Sequence, residues 1–156
     1  MKPHHPAFLS DTSLYHQYET HHHHIQTLKY LTNTEHLTSQ SYLNLIQDHN
    51  TPRNIYQLAS LIWNTEFFWK SLRPNTMLSD TLRIGIQDAF HNFDFFKNSF
   101  ENLALDLFGS GSVWLCMDLR NGVLVILETH DADCPIGLEY WPLLVCDVWE
   151  HTYYED

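Results

Sequence analysis

The chain has 156 residues, about the size of one ordinary domain. Hydrophobic residues make up 44% and aromatics 14% of it, so it can build a packed core and is not a disordered chain. Its formal charge of −11, with 8 Lys and Arg against 19 Asp and Glu, leaves no basic face for extended phosphate contact, and little direct nucleic-acid contact is expected.

Residues 1–10 lack a basic stretch followed by an apolar one, so no signal peptide is expected there. Residues 12–33 are expected to be helical, with Ile25, Leu28 and Leu31 at three-residue steps. A short helix is expected within 34–50, around Tyr42, Leu43, Leu45 and Ile46, and Asn50-Thr51-Pro52 ends it. A second long helix spans 53–72, with Leu58, Leu61, Ile62, Phe68 and Trp69 near one side and Arg73-Pro74-Asn75 as its stop.

Two shorter helices follow, at 79–90 and 93–107, with Ser79 and Asn92 as N-caps. Strands are expected at 113–119 and 123–128, joined by Asn121-Gly122 as a two-residue hairpin, and a third at 143–148. The fold class is α+β: a helical hairpin domain over 1–75, then a domain over 76–156 with helices and a three-stranded antiparallel sheet. No run of 18 apolar residues is present, so no transmembrane helix is expected. Cys116, Cys134 and Cys146 form no CxxC pair and read as reduced thiols.

Three segments carry a resemblance to a known family. They are Trp63-Asn64-Thr65-Glu66-Phe67-Phe68-Trp69, Phe108-Gly109-Ser110-Gly111-Ser112-Val113-Trp114-Leu115, and Asp147-Val148-Trp149-Glu150-His151-Thr152-Tyr153-Tyr154. In this order and spacing they resemble the helix, strand-entry and Asp-Val-Trp-Glu-His motifs of iron/manganese superoxide dismutases. The resemblance implies a metal bound by three His and one Asp. Asp147 and His151 match two of these ligands, while Thr65 stands at the third, where a neutral hydroxyl is a poor substitute for an imidazole. The first-helix ligand is matched to His16, with His22 as the rival register. The His16 register puts His24 at the family's gateway tyrosine and Thr20 at an interface histidine.

The same resemblance places a water-orienting glutamine at Leu61 or Ala132, and neither side chain can do that work. It also implies a further C-terminal helix beyond Asp156, so the second domain is expected to be truncated at its end. Together these losses lead to the expectation of an inactive member of the family with no cofactor of its own. It would be a structural subunit of a large mitochondrial matrix assembly, similar to the dismutase-like subunits of the mitochondrial ribosomal small subunit, or part of a respiratory complex. Glu150, His151 and Tyr154 would form an interface with protein subunits, among them a second dismutase-like chain. The alternative is a divergent dismutase, with iron or manganese held by His16, Asp147 and His151. The run His21-His22-His23-His24 reads as solvated or partner-facing, since successive helical residues point in different directions.

Overall fold

The computed structural model describes residues 11–72 and 76–149. Its helices are α1 (Asp11–Thr34), α2 (Tyr42–Gln47), α3 (Arg53–Ser71), α4 (Asp80–Phe90) and α5 (Phe93–Asp106). Its strands are β1 (Gly111–Asp118), β2 (Leu124–His130) and β3 (Tyr140–Asp147), with a short 3-10 helix at Pro135–Leu138 before β3. The α+β class with a three-stranded antiparallel sheet is as the sequence implies; the strand order is β2-β1-β3. No helix among the described residues is long and apolar enough to cross a membrane.

Helices α1 and α3 pack antiparallel. Gln17 meets Trp69 and His21 meets Glu66, so contacts climb one helix as they descend the other. Leu28 of α1, Leu45 and Ile46 of α2, and Ile55, Ala59 and Ile62 of α3 close around Cys134 and Ile136 into one core. The caps read from sequence form as expected. Leu82 N donates to Ser79 Oγ at 3.3 Å, and Phe95 N donates to Asn92 Oδ1 at 2.8 Å, each satisfying a backbone donor the helix start would leave open.

Strand β1 is central and buried on both faces, and its alternation sorts two further cores. Val113 and Leu115 pack against Ile86, Phe96 and Phe100 from α4 and α5. Trp114 and Cys116 point the other way, to Phe68 of α3 and Val145 of β3. The Trp114 indole N–H donates to Thr129 Oγ1 at 2.9 Å, so this fully buried ring carries no unpaired donor.

Two local features differ from the sequence expectation. The β1–β2 hairpin has a four-residue loop, not a two-residue one: Asp118 N donates to Val123 O at 2.9 Å and Gly122 N to Asp118 O at 2.8 Å. The Asp118 carboxylate sets this loop by accepting from the Arg120 backbone and guanidinium at 2.8–2.9 Å, and Gly122 takes the left-handed φ of 74° that the turn requires. Strand β3 begins at Tyr140 rather than Leu143. Its Pro142 lacks an N–H, which an edge strand tolerates, and the register shifts between Leu115 and Cys116 so that Leu143 is the extra residue of a bulge.

Ile62 is fully buried in the first core, whereas Ile84 on α4 is 56% exposed. Ile62→Ala is expected to lower the free energy of unfolding by about 2–5 kcal/mol. Ile84→Ala should change it by less than about 0.5 kcal/mol. Urea titration of the two variants checks this placement; equal losses would contradict it.

Candidate functional site

A cavity of about 330 Å³ lies where α1, α3 and the sheet meet. Helix α1 contributes Gln17, Thr20, His21 and His24, which share one face at steps of three and four residues. Helix α3 contributes Leu61, Asn64, Thr65 and Phe68 on the opposite wall. The sheet side adds Ser112, Val145 and Asp147, with Asp131 and Trp149 from the segments beyond strand ends.

The face that α1 turns to α3 is set by burial. Leu14, Gln17, His21, Leu28 and Thr32 are all buried, a stripe with the 3.6-residue period of a helix. Relative to Leu28, Gln17 lies only about 20° around the helix, while His16 and His22 lie about 120° to either side. His16 is accordingly exposed, with its ring edge-on to Tyr15, and His22 is exposed beside Gln26. Neither lines the cavity. His24 and Thr20, the gateway and interface positions of the His16 register, do line it.

His21 is the buried imidazole of this wall. Its Nε2 lies 3.6 Å from Glu66 Oε1, and its ring packs edge-on against Trp69 at 4.8 Å. Its Nδ1 is buried and has no hydrogen-bond partner among the described residues. Burial pushes its pKa below the usual histidine value, a shift that the Glu66 carboxylate opposes, so the ring favours the neutral form. One turn earlier, Gln17 Oε1 accepts from Trp69 Nε1 at 2.8 Å, and Gln17 Nε2 is left without a partner among the described residues.

On α3, Thr65 Oγ1 donates to Leu61 O at 2.8 Å, so its proton is held by the helix and the side chain stays a neutral hydroxyl. Asn64 Nδ2 reaches across to Asp133 O at 3.1 Å, tying α3 to the loop after β2. Asp147 ends β3 opposite Ser112, and its Oδ1 accepts from Trp149 N at 3.1 Å. The structure therefore brings Thr65 and Asp147 to the same cavity. Ala132 is buried but does not line it. Glu150, His151 and Tyr154 lie outside the described residues.

Sequence reasoning passed over Gln17 and His21. The signal that finds them is the stripe read at helical period back from Leu28, through 24, 21 and 17 to Leu14. Ile25, Leu28 and Leu31 centre on the same face and pack into the first core, but they stop short of the turns that carry Gln17 and His21.

Comparison with known proteins is consistent along the chain. The model for "Iron/manganese superoxide dismutases, C-terminal domain" matches residues 78–156. The chain is 36% identical to a "Superoxide dismutase [Mn/Fe]" of Rickettsia typhi over 156 residues, covering 97% of this chain and 74% of that protein. It is 35% identical to a "Superoxide dismutase [Fe]" of Plasmodium falciparum over 155 residues, covering 95% of this chain and 75% of the relative. A "Superoxide dismutase [Fe]" of Babesia bovis is 42% identical over 105 residues, 65% of this chain and 52% of the relative.

These likenesses correct three expectations from the sequence. Relatives named as iron or manganese dismutases point to an enzyme, not to a non-catalytic chain. They point to an iron or manganese cofactor, not to none. They give no support to the role of structural subunit in a mitochondrial assembly. The physical fault in that expectation lies on α1: with the helix turned as it is, the cavity keeps Gln17, His21 and His24 as a polar wall.

The lowered pKa of His21 has a consequence for the metal-free protein. The unfolded chain binds this proton near the ordinary value of 6.5 and the folded chain only at lower pH, so unfolding takes up a proton in between. Stability is expected to be full above pH 6.5 and to fall as the pH drops toward the folded value. Urea midpoints across this range in the presence of a chelator check it, and His21→Gln should flatten the slope. An unchanged slope in the variant would contradict the placement of His21.

Proposed function

The chain belongs to the iron/manganese superoxide dismutase family, and on that premise we propose that it is a divergent dismutase that binds iron or manganese. The observation that carries this reading is the cavity between α1, α3 and β3, where a buried imidazole with an unpartnered nitrogen and the Asp147 carboxylate face one space.

The donor chemistry fits such an ion. A neutral imidazole whose other nitrogen faces a carboxylate is the usual form of a metal-ligating histidine, and His21 with Glu66 has this form. Asp147 adds a carboxylate oxygen, and His151 is the family-equivalent second imidazole. Two His and one carboxylate suit iron with open coordination positions. Among the described residues alone, no group of three His, Cys, Asp or Glu could hold an ion, so His151 is essential to this assignment.

When bound, iron or manganese supplies the one-electron couple by which one superoxide is oxidised to dioxygen and another reduced to peroxide. The chain's own groups prepare for this. Glu66 faces His21 Nε2 and favours the proton there, which keeps the Nδ1 lone pair available. The Trp149 backbone N–H donates to Asp147 Oδ1, which fixes the carboxylate's orientation. Leu61, Phe68 and Val145 give the cavity apolar walls that limit water. Thr65 supplies bulk and a neutral oxygen where the family has a further imidazole, which is the basis for calling the enzyme divergent.

We also propose that the chain pairs with a second dismutase-like chain through its 149–156 end and the start of α1. The support is the Glu150-His151 segment with Tyr154, which resembles the part of the family signature that serves both interface and metal site. In Glu150→Ala, Tyr154→Ala double-variant protein, size-exclusion chromatography should show a smaller species than the parent. An unchanged size would contradict the pairing.

The function is tested by reconstitution. Purified protein loaded with iron or manganese should dismutate superoxide well above the free-ion background, lose that activity to a chelator and regain it with metal. Asp147→Ala should lower metal affinity or activity by about tenfold or more, as loss of a ligand or its support typically does. Background turnover after loading would contradict the reading.

A further inference from the structure

We propose that Asn121 is a site of spontaneous covalent modification, deamidation through attack by the Gly122 backbone nitrogen, and that the loop built on Asp118 restrains it in the folded chain. This is independent of the dismutase reading and concerns the β1–β2 hairpin.

The chemistry needs an asparagine followed by an unscreened backbone nitrogen. That nitrogen gives its proton to solvent base and bonds to the asparagine Cγ. The Cγ–Nδ2 bond breaks, Nδ2 leaves as ammonia, and a succinimide ring closes. Water then opens the ring at either carbonyl, leaving aspartate or an isoaspartate whose chain runs through the side-chain carbon. Asn121-Gly122 is the one Asn-Gly pair in the sequence. Both residues are exposed, and a Cβ at Gly122 would meet nothing within 4 Å. Solvent therefore reaches the pair, and no side chain shields the attacking nitrogen.

The folded loop opposes the step. Gly122 N donates to Asp118 O at 2.8 Å, so the nucleophile's proton is already held by a carbonyl. Asn121 Nδ2 donates to Asp118 Oδ2 at 3.3 Å, and Asn121 Oδ1 accepts from Val123 N at 2.9 Å, so the amide is gripped at both ends. Asp118 is anchored in turn. Arg120 Nε and Nη2 donate to its two oxygens at 2.8 Å, and Nη2 also reaches Tyr140 Oη of β3 at 2.8 Å. Attack on Cγ must wait for these bonds to open. Once made, the change is self-sustaining. A carboxylate at 121 meets the Asp118 carboxylate where an N–H donor had been, and an isoaspartate adds a carbon to the backbone between β1 and β2.

The test is peptide mapping by mass spectrometry of the full chain aged in mildly alkaline buffer, folded and unfolded in guanidinium. The peptide holding residue 121 should gain one mass unit and form isoaspartate about tenfold or more faster in the unfolded chain, since the folded loop reacts only when it opens. Asp118→Ala keeps the Asn-Gly pair and removes the acceptor that Arg120 and Asn121 share, and it should raise the folded-chain rate several-fold. Circular dichroism checks that this variant is folded. Arg120→Ala, at an exposed position, takes its place if it is not, and should also raise the rate. No mass gain at residue 121 in the unfolded chain would overturn the site. Equal rates in the folded and unfolded parent would overturn the restraint, as would a folded variant that converts no faster than the parent.

Discussion

The rotation of α1 against α3 determines what the cavity contains. It is fixed at both ends by apolar burial, Leu14 at one end and Leu28 at the other, and between them by polar contacts to Trp69 and Glu66. A turn of one residue, about 100°, would exchange Gln17 and His21 for His16 and Thr20 in one direction, or for Tyr18 and His22 in the other. Two ring or amide nitrogens are left unpartnered among the described residues on this face, where each unpaired buried polar group costs about 1–3 kcal/mol. Groups held at such a cost cluster where a ligand is to be bound.

The sheet supplies the opposite wall through its register. Asp147 sits across from Ser112 at the end of β3, at the mouth of the space that α1 and α3 enclose. Pro142 and Val145 are both buried although they are three residues apart, which a regular strand would place on opposite faces. The bulge at Leu143 rephases the strand between them, and with it the face on which Val145 and Asp147 appear. On the third wall, Thr65 returns its proton to α3, so its oxygen remains neutral and offers an ion much less than an imidazole would. The chemistry of the site thus leans on α1 and on the Asp147 end of the chain.

Much of the fold was legible in the sequence, and the reasons are local. The N-caps at Ser79 and Asn92, the breaks at Asn50-Thr51-Pro52 and Phe108-Gly109-Ser110-Gly111, and the alternation of β1 each act within a few residues. The longer hairpin loop was not legible because Asp118, ahead of Asn121-Gly122, sets it with its side chain. The start of β3 was missed because Pro142 argues against a strand until the strand is known to be an edge. At the site, Asp147 and Thr65 were readable from motif order. Gln17 and His21 were not, because four consecutive histidines offer several registers and the choice among them is made by packing on α3, a contact some fifty residues away in sequence.

The central claim is that this cavity holds a redox metal between α1 and the Asp147 end of the chain. Anomalous diffraction at the iron or manganese edge from crystals of the loaded protein tests it most directly. The account predicts a single strong peak in the cavity, within ligand distance of His21 and Asp147, about 2.0–2.2 Å for nitrogen and oxygen donors to such ions. A peak at the exposed His16 or His22, or none in the protein at full loading, would contradict it.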